Sequence, residues 1–323
     1  MSIGPELLTP IPGDNPSGAN LRYDPVYDKI KEARRVEEEA PQGDWAHEVK
    51  KADWPLVIKL CTDALTSRTK DLQLAVWLTE ATVAREGYGG LRQGLDYCRE
   101  LLEQFWDTLY PENEDGDLEL RATPLDWLGT RFDESLKKVS LVKGGFDWYK
   151  YKESRTVGYE SDLGESEQKR AARAQAITDG KLTAEDFDKA VLATTKDVLR
   201  QKLADIDGSF EAIDALAPVC EARFGEYNPS FTGLRGSLDE VKAALKAALA
   251  KKLEQDPDPV AKPTAETATA ATSSQDAMDA IFSAGPGEGA AQDSAQAPLT
   301  AAPVDLSDAY QRVVTVARWL RAQ

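Results

Sequence analysis

Histidine, cysteine and methionine are scarce in this chain of 323 residues, which holds one, three and two of them respectively. Cys61, Cys98 and Cys220 stand far apart and form no CxxC pair, so the sequence predicts neither a disulfide framework nor a zinc site. We interpret the cysteines as small buried hydrophobic residues. A catalytic thiolate is the alternative, but it needs a base, and His47 is the single histidine.

Positive charge is in deficit, because 39 Lys and Arg stand against 56 Asp and Glu, for a net charge of -17. Such a chain repels phosphate backbones unless a basic patch overrides the repulsion, and we find none, so no nucleic acid is expected as a partner. No stretch approaches the roughly 20 apolar residues of a membrane-spanning helix. Residues 1–6 also lack the features of a signal peptide. We therefore expect a cytoplasmic protein without direct membrane insertion.

Catalytic and metal-binding motifs are incomplete. His47 opens an HExxH pattern, but Lys51 stands where the second zinc ligand belongs. The acidic run 112–117 resembles a calcium loop only in its middle, since Pro111 and Ala122 would occupy its first and last ligand positions. We predict no metal, no cofactor and no catalytic residue, hence no enzyme. A carboxylate-dependent hydrolase or regulatory enzyme with a pocket in the first domain stays open as the alternative, because acidic pairs are abundant.

Apolar residues recur mostly at helical spacing, as in the stripe over residues 91–109. Asp53 is expected to cap a helix with Pro55 in its first turn, and Thr123 and Pro124 are expected to cap and open a short helix. No segment alternates apolar and polar residues over more than a few positions, which argues against strands. The sequence predicts an all-α fold in which an extended N-terminal arm precedes a helical bundle.

The chain divides by composition. We predict a helical domain over residues 1–160 and a second helical region over 161–255, where one stripe runs from Phe187 to Val198. Residues 256–304 are rich in Ala, Thr, Ser and Pro and cannot bury enough apolar surface to fold alone, so they predict a disordered, flexible linker. Residues 305–323 are helical in pattern again.

The stretch 12–25 closely resembles the opening of the ImpA N-terminal domain family, found in the TssA proteins of bacterial type VI secretion systems. Motifs farther along keep that family's order and spacing, so that the match covers about residues 8–135. Asn20 departs from it, because relatives usually carry an acid there. The residues that carry the resemblance are Pro16, Gly18, Leu21, Arg22, Tyr23, Asp24, Pro25, Trp54, Asp71, Trp77, Leu78, Trp106, Pro111 and Trp127.

These motif residues have structural interpretations. Pro16 and Gly18 shape an extended arm, and Asp24 with Pro25 starts a helix. The tryptophan and leucine side chains are expected in the hydrophobic core, and so are most tyrosines of the first half of the chain. Arg22 is expected to pair with Asp24 or with a core carboxylate.

The resemblance implies a cytoplasmic assembly factor that couples the membrane complex and baseplate to polymerisation of tube and sheath. Its partners would be baseplate, sheath, tube or membrane-complex subunits, and it would self-associate through a C-terminal domain. Residues 305–323 resemble the start of such an oligomerisation domain, cut before its continuation. The residues expected at interfaces are Trp148, Tyr149, Tyr151, Val313, Val316 and Leu320.

Overall fold

The computed structural model describes residues 3–37, 50–113 and 116–258. Within these ranges the chain forms helices and no β-strand, which confirms the all-α prediction. The predicted C-terminal helix, all but the first three residues of the predicted linker, and His47 lie outside the described residues. In the described part of the chain no helix combines the length and the apolar character needed to cross a membrane.

Short 3₁₀ segments at Pro5–Leu8, Glu160–Leu163 and Gly225–Tyr227 accompany the α-helices. In chain order the α-helices are α1 (Pro25–Arg34), α2 (Trp54–Ser67), α3 (Leu72–Glu86), α4 (Tyr88–Gln104), α5 (Glu119–Thr130), α6 (Asp133–Lys137), α7 (Trp148–Val157), α8 (Glu167–Thr178), α9 (Ala184–Ala193), α10 (Lys196–Phe224) and α11 (Thr232–Gln255).

Three aspartates set the starts of the first helices. Asp24, Asp53 and Asp71 are the N-cap residues of α1, α2 and α3, and each side chain accepts a hydrogen bond from a backbone N–H of the first turn. Pro25 and Pro55 follow the first two caps, at positions whose N–H has no partner within the helix. The predicted start of α2 at Asp53 is confirmed.

The predicted start of α5 at Thr123 and Pro124 is wrong, because the helix begins earlier, at Glu119, and holds the proline inside it. The start signal is Asp117, whose carboxylate accepts a hydrogen bond from the Glu119 N–H at 2.9 Å. In the sequence this aspartate ends the acidic run 112–117, so it does not stand out as a helix start. The Thr123 hydroxyl instead donates to the Glu119 carbonyl one turn back, at 2.8 Å.

The stripe from Phe187 to Val198 is not one helix. It breaks at Thr194 and Thr195, which end α9 and cap α10. The Thr194 hydroxyl donates to the Ala190 carbonyl and accepts from the Lys143 N–H, both at 2.8 Å, so the break is tied to the segment before α7. Helical spacing continues through the break and therefore hides it from the sequence.

The core is built around α3, which is buried at Leu72 and at every position from Leu74 to Val83. Helix α4 packs between α3 and α10, and α11 covers α5, α6, α9 and α10. A Cβ at Gly90 would lie 2.7 Å from the Thr82 backbone, so this glycine permits the close approach of α3 and α4. The described residues lie in one compact unit, residues 1–258, while a division near residue 160 stays a prediction.

All three cysteines are free and buried, as predicted. Burial raises the pKa of the Cys98 and Cys220 thiols to about 12, which keeps both protonated at neutral pH.

Candidate functional site

A cleft of about 480 Å³ opens between the N-terminal arm, α1, the start of α3, the turn after α4 and the exposed side of α5. We call it the motif cleft, because residues singled out by the family resemblance line it together. Those residues are Arg22, Tyr23, Asp71, Trp77 and Pro111.

A buried carboxylate forms part of the cleft lining. Asp71 is 1% exposed, and its Oδ1 accepts hydrogen bonds from the N–H groups of Gln73 and Leu74 at 2.8 and 3.3 Å. Its Oδ2 accepts a hydrogen bond from the Tyr27 hydroxyl. Burial raises the pKa of Asp71, while these three hydrogen bonds favour its charged form. Both oxygens are thus engaged in fixing α3 and α1.

Aromatic rings continue this lining. Tyr27 meets Trp77 edge to face, with ring centroids 5.2 Å apart. Burial and the neighbouring Asp71 carboxylate raise the pKa of Tyr27, so its hydroxyl remains a donor. Trp77 also contacts the Arg34 guanidinium, 4.9 Å from the ring centroid, and Arg34 pairs with Glu80 at 2.5 Å.

The rim carries an unusually exposed aromatic residue. Tyr23 is 91% exposed, although the sequence grouped it with core aromatics. The Arg22 guanidinium lies 5.9 Å from the Tyr23 ring centroid, whereas the Asp24 carboxylate bonds Arg68 in place of the expected Arg22. Leu120 of α5, 44% exposed, lines the same cleft. A large exposed aromatic side chain on an ordered segment is typical of an interface anchor.

The turn that displays Tyr23 is ordered by local hydrogen bonds. The Arg22 N–H donates to Asn20 Oδ1 at 3.0 Å, and the Asp24 N–H donates to the Leu21 carbonyl at 2.8 Å. Asp24 then caps α1. Because the turn is fixed before any contact is made, binding through Tyr23 would cost little conformational entropy.

Arg121 holds the wall formed by the turn after α4. Its guanidinium donates to the carbonyls of Trp106, Leu109 and Pro111 at 2.6 to 2.7 Å. Sequence reasoning missed this residue. The available signal was its place on the apolar face of α5, three residues after Leu118, where an arginine needs buried acceptors.

The same wall is joined to the arm. The Tyr110 hydroxyl donates to the Gly18 carbonyl and accepts from the Asn15 amide, both at 3.0 Å. Gly18 in turn pairs with Thr69 in an isolated antiparallel bridge. The cleft therefore has a fixed frame made of segments that are distant in the sequence.

Charges of both signs surround the cleft. Asp28 and Glu112 are exposed carboxylates, and Arg22 and Lys31 are exposed cations. Lys31 Nζ lies 3.9 Å from Asp28. Among the described residues no cluster of three or more His, Cys, Asp and Glu side chains could hold a metal ion.

Other motif residues lie outside the cleft lining. Trp106 packs edge-on against Phe224 at 5.1 Å between centroids, and Trp127 packs against Phe132 at 5.7 Å. Both thus contribute to the core through aromatic contacts. The full set outside the lining is Pro16, Gly18, Leu21, Asp24, Pro25, Trp54, Leu78, Trp106 and Trp127.

The aromatic residues expected at an interface lie on α7, away from the motif cleft. Trp148 is half-buried between Lys137 and Lys152, whose ammonium groups lie 4.4 and 5.6 Å from its ring centroid. Tyr149 is 40% exposed, and Tyr151 is partly buried. The remaining predicted interface residues, Val313, Val316 and Leu320, lie outside the described residues.

Comparison with known proteins identifies relatives over this region. The family model described as "ImpA, N-terminal, type VI secretion system" matches residues 8–130. The chain is 35% identical over 127 residues to the type VI secretion system component TssA1 of Pseudomonas aeruginosa, a match that covers 38% of this chain and 37% of that protein. The chain therefore spans little more than a third of that relative's length.

A solved structure agrees over a longer stretch. It is the N-terminal domain, including the ImpA_N region, of the TssA component of the type VI secretion system from Burkholderia cenocepacia. It superposes with a TM-score of 0.66 at 32% identity, over 78% of this chain and 96% of that chain. The likeness thus extends beyond the family-model match.

Proposed function

This chain belongs to the TssA family of type VI secretion system components, and from that premise we propose that it is a non-enzymatic scaffold which assembles the secretion apparatus. It links the baseplate and membrane complex to polymerisation of tube and sheath. The motif cleft is the surface through which its N-terminal part docks on one of those subunits.

One observation carries this proposal: residues of the family motif converge on a single open cleft with Tyr23 displayed at its rim. A motif with only a packing role would place its aromatic residues in the core, as Trp106 and Trp127 are placed. An ordered, exposed tyrosine beside a concave surface is instead typical of a binding hot spot.

The non-enzymatic part of the proposal is supported by the geometry of Asp71. Both oxygens of this buried carboxylate are engaged in hydrogen bonds that fix helices. The comparisons give no support to the alternative of a carboxylate-dependent hydrolase. A cytoplasmic location, and self-association through a C-terminal domain of which residues 305–323 would be the start, belong to the same proposal and rest on the resemblance.

The test is Tyr23→Ala in the chromosomal gene of a bacterium that carries this system. Tyr23 is exposed, so the substitution is expected to change the stability of the fold by less than about 0.5 kcal/mol. We expect loss of sheath assembly, followed by microscopy of a fluorescent sheath subunit, and loss of tube-subunit export.

Ile177→Ala is the control, because it removes an exposed apolar side chain of α8 that lies outside the cleft and is not among the residues expected at an interface. Normal sheath assembly in Tyr23→Ala, with the protein present at wild-type level, would contradict docking through the cleft. Defects of equal size in both variants would point to general loss of the protein, which immunoblotting detects.

A further inference from the structure

We propose that the motif cleft receives a single basic side chain, best an arginine. The segment of the partner subunit that carries this side chain is otherwise uncharged and partly apolar. This inference rests on the proposed function and adds the chemistry of the segment that is bound.

The first argument is the aromatic content of the cleft. Rings of Tyr23, Tyr27, Trp77 and Tyr110 line it. The last three are only 6% exposed, so it is the 91% exposed ring of Tyr23 that offers a face to an incoming cation. The chain already uses this attraction at the site, because Arg22 lies over Tyr23 and Arg34 lies over Trp77. An incoming guanidinium would repeat a contact that the fold itself makes twice.

The second argument is that the cleft provides hydrogen-bond acceptors. Glu112 and Asp28 place exposed carboxylates at the cleft, and the Glu112 charge contributes to raising the pKa of Tyr110. An apolar side chain inserted here would strip water from these groups without replacing its hydrogen bonds, which is costly. An arginine brings five N–H donors in a planar fork.

The cations at the cleft restrict the partner further. Lys31 lies near Asp28, and Arg22 stacks on Tyr23. A run of basic residues would meet both of these charges and be repelled, whereas one basic residue can avoid them. The exposed Leu120 side chain offers contact to an apolar neighbour of that residue. The overall charge of -17 adds long-range attraction for a segment that carries one positive charge.

The test uses short fluorescein-labelled peptides that are identical except at the central residue, which leucines flank. The central residue is arginine, lysine, citrulline, leucine or glutamate, and citrulline reproduces the shape of arginine without its charge. Each peptide is titrated with the full chain, and binding is followed by fluorescence anisotropy. We expect arginine to bind best and citrulline to bind about tenfold more weakly, as expected when a charge-assisted contact is lost.

Variants assign the binding to the cleft. Glu112→Gln and Asp28→Asn together are expected to reduce the preference for arginine over citrulline, and Tyr23→Ala is expected to weaken binding of the arginine peptide. Glu221→Gln is the matched control, because Glu221 is an exposed carboxylate of α10 outside the cleft. All these side chains are exposed, so the folded state is expected to persist.

Equal binding of the arginine and citrulline peptides, or strongest binding of the leucine or glutamate peptide, would overturn this inference while leaving docking through the cleft intact. Absence of any binding that depends on Tyr23 would overturn it as well. In each case the sheath-assembly assay with Tyr23→Ala decides the proposed function independently.

Discussion

The hydroxyl of Tyr27 donates a hydrogen bond to the Asp71 carboxylate and so joins α1 to the first turn of α3. Both side chains are buried. Because the same carboxylate also accepts two backbone N–H groups of α3, one aspartate fixes the start of a helix and the position of its neighbour. This pair forms part of the lining of the motif cleft.

Tyr27→Phe removes this hydrogen bond and little else. Asp71 then stays buried with one partner fewer, so we expect the free energy of unfolding to fall by about 1 to 3 kcal/mol. Urea denaturation followed by circular dichroism measures the loss. Tyr149→Phe, on the exposed part of α7, should stay within about 0.5 kcal/mol of the wild type. Equal stability of Tyr27→Phe and the wild type would contradict a stabilising role for the bond.

Local signals in the sequence predicted helix starts well where a cap stood alone. Asp53 with Pro55 is such a case, since a cap and a first-turn proline act within a few residues. The signal failed at Thr123 and Pro124, because the helix begins earlier, at Glu119, whose N–H donates to the Asp117 carboxylate just before the helix. Two helix-start signals compete here, and tertiary packing decides between them. The buried Arg121, which bonds three carbonyls after α4, lies inside the helix that begins at Glu119, and a sequence pattern does not show such packing.

The candidate site itself could be predicted only in part. The family resemblance identified Tyr23, Asp71 and Pro111 as motif residues. It did not predict that the three line the same cleft. They come from three segments of the chain, and tertiary structure alone brings them together. The exposure of Tyr23 was equally hidden, because the local sequence of a tyrosine between Arg22 and Asp24 is the same whether its ring lies in a core or at a rim.

The contact between the arm and the segment before α3 depends on Gly18. Its φ of +70° is in the left-handed region, and a Cβ there would lie 2.2 Å from the Arg68 carbonyl oxygen. That carbonyl accepts the Ala19 N–H at 2.9 Å. Gly18→Ala therefore strains the backbone and also displaces a bonded carbonyl.

Gly145→Ala separates these two costs, because Gly145 has a similar φ of +78° with no atom within 4 Å of its Cβ position. We expect about 1 to 2 kcal/mol of destabilisation for Gly145→Ala and a clearly larger loss for Gly18→Ala. Urea denaturation of both variants measures this. If both variants lost the same free energy of unfolding, the close approach to the Arg68 carbonyl would add nothing to the cost of a Cβ at Gly18.

Arg121→Lys tests whether the three hydrogen bonds from Arg121 to backbone carbonyls hold the cleft wall. A lysine keeps the charge but cannot match the planar fork that reaches the three carbonyls after α4. We expect the free energy of unfolding to fall by at least about 2 kcal/mol, because charge-assisted hydrogen bonds are lost from a buried site. Arg131→Lys, an exposed change at the end of α5, is the control and should be nearly neutral. A neutral Arg121→Lys would mean that one or two of the carbonyl bonds suffice.

Lys70 is expected to make the free energy of unfolding depend on pH in the alkaline range. It is fully buried, and its ammonium donates to the carbonyls of Leu7 and Leu65 at 2.6 and 2.7 Å, with the Phe105 ring 5.7 Å away. Burial lowers the pKa of Lys70 from 10.5 to about 8. Between these values the unfolded chain binds more protons at this residue than the folded chain does.

Because the unfolded state holds the extra proton, the contribution of Lys70 to stability rises as the pH rises from about 8 to 10.5. Lys70→Met removes this contribution, so the stability of the wild type relative to the variant should increase across that window. The increase is at most about 1.4 kcal/mol per pH unit for one proton. Urea denaturation of both proteins at several pH values measures the difference, and comparison with the variant cancels the titration of other lysines and of tyrosines. A difference that is constant with pH would show that Lys70 keeps an ordinary pKa in the folded protein, and a falling one would mean that its charged form is stabilised there.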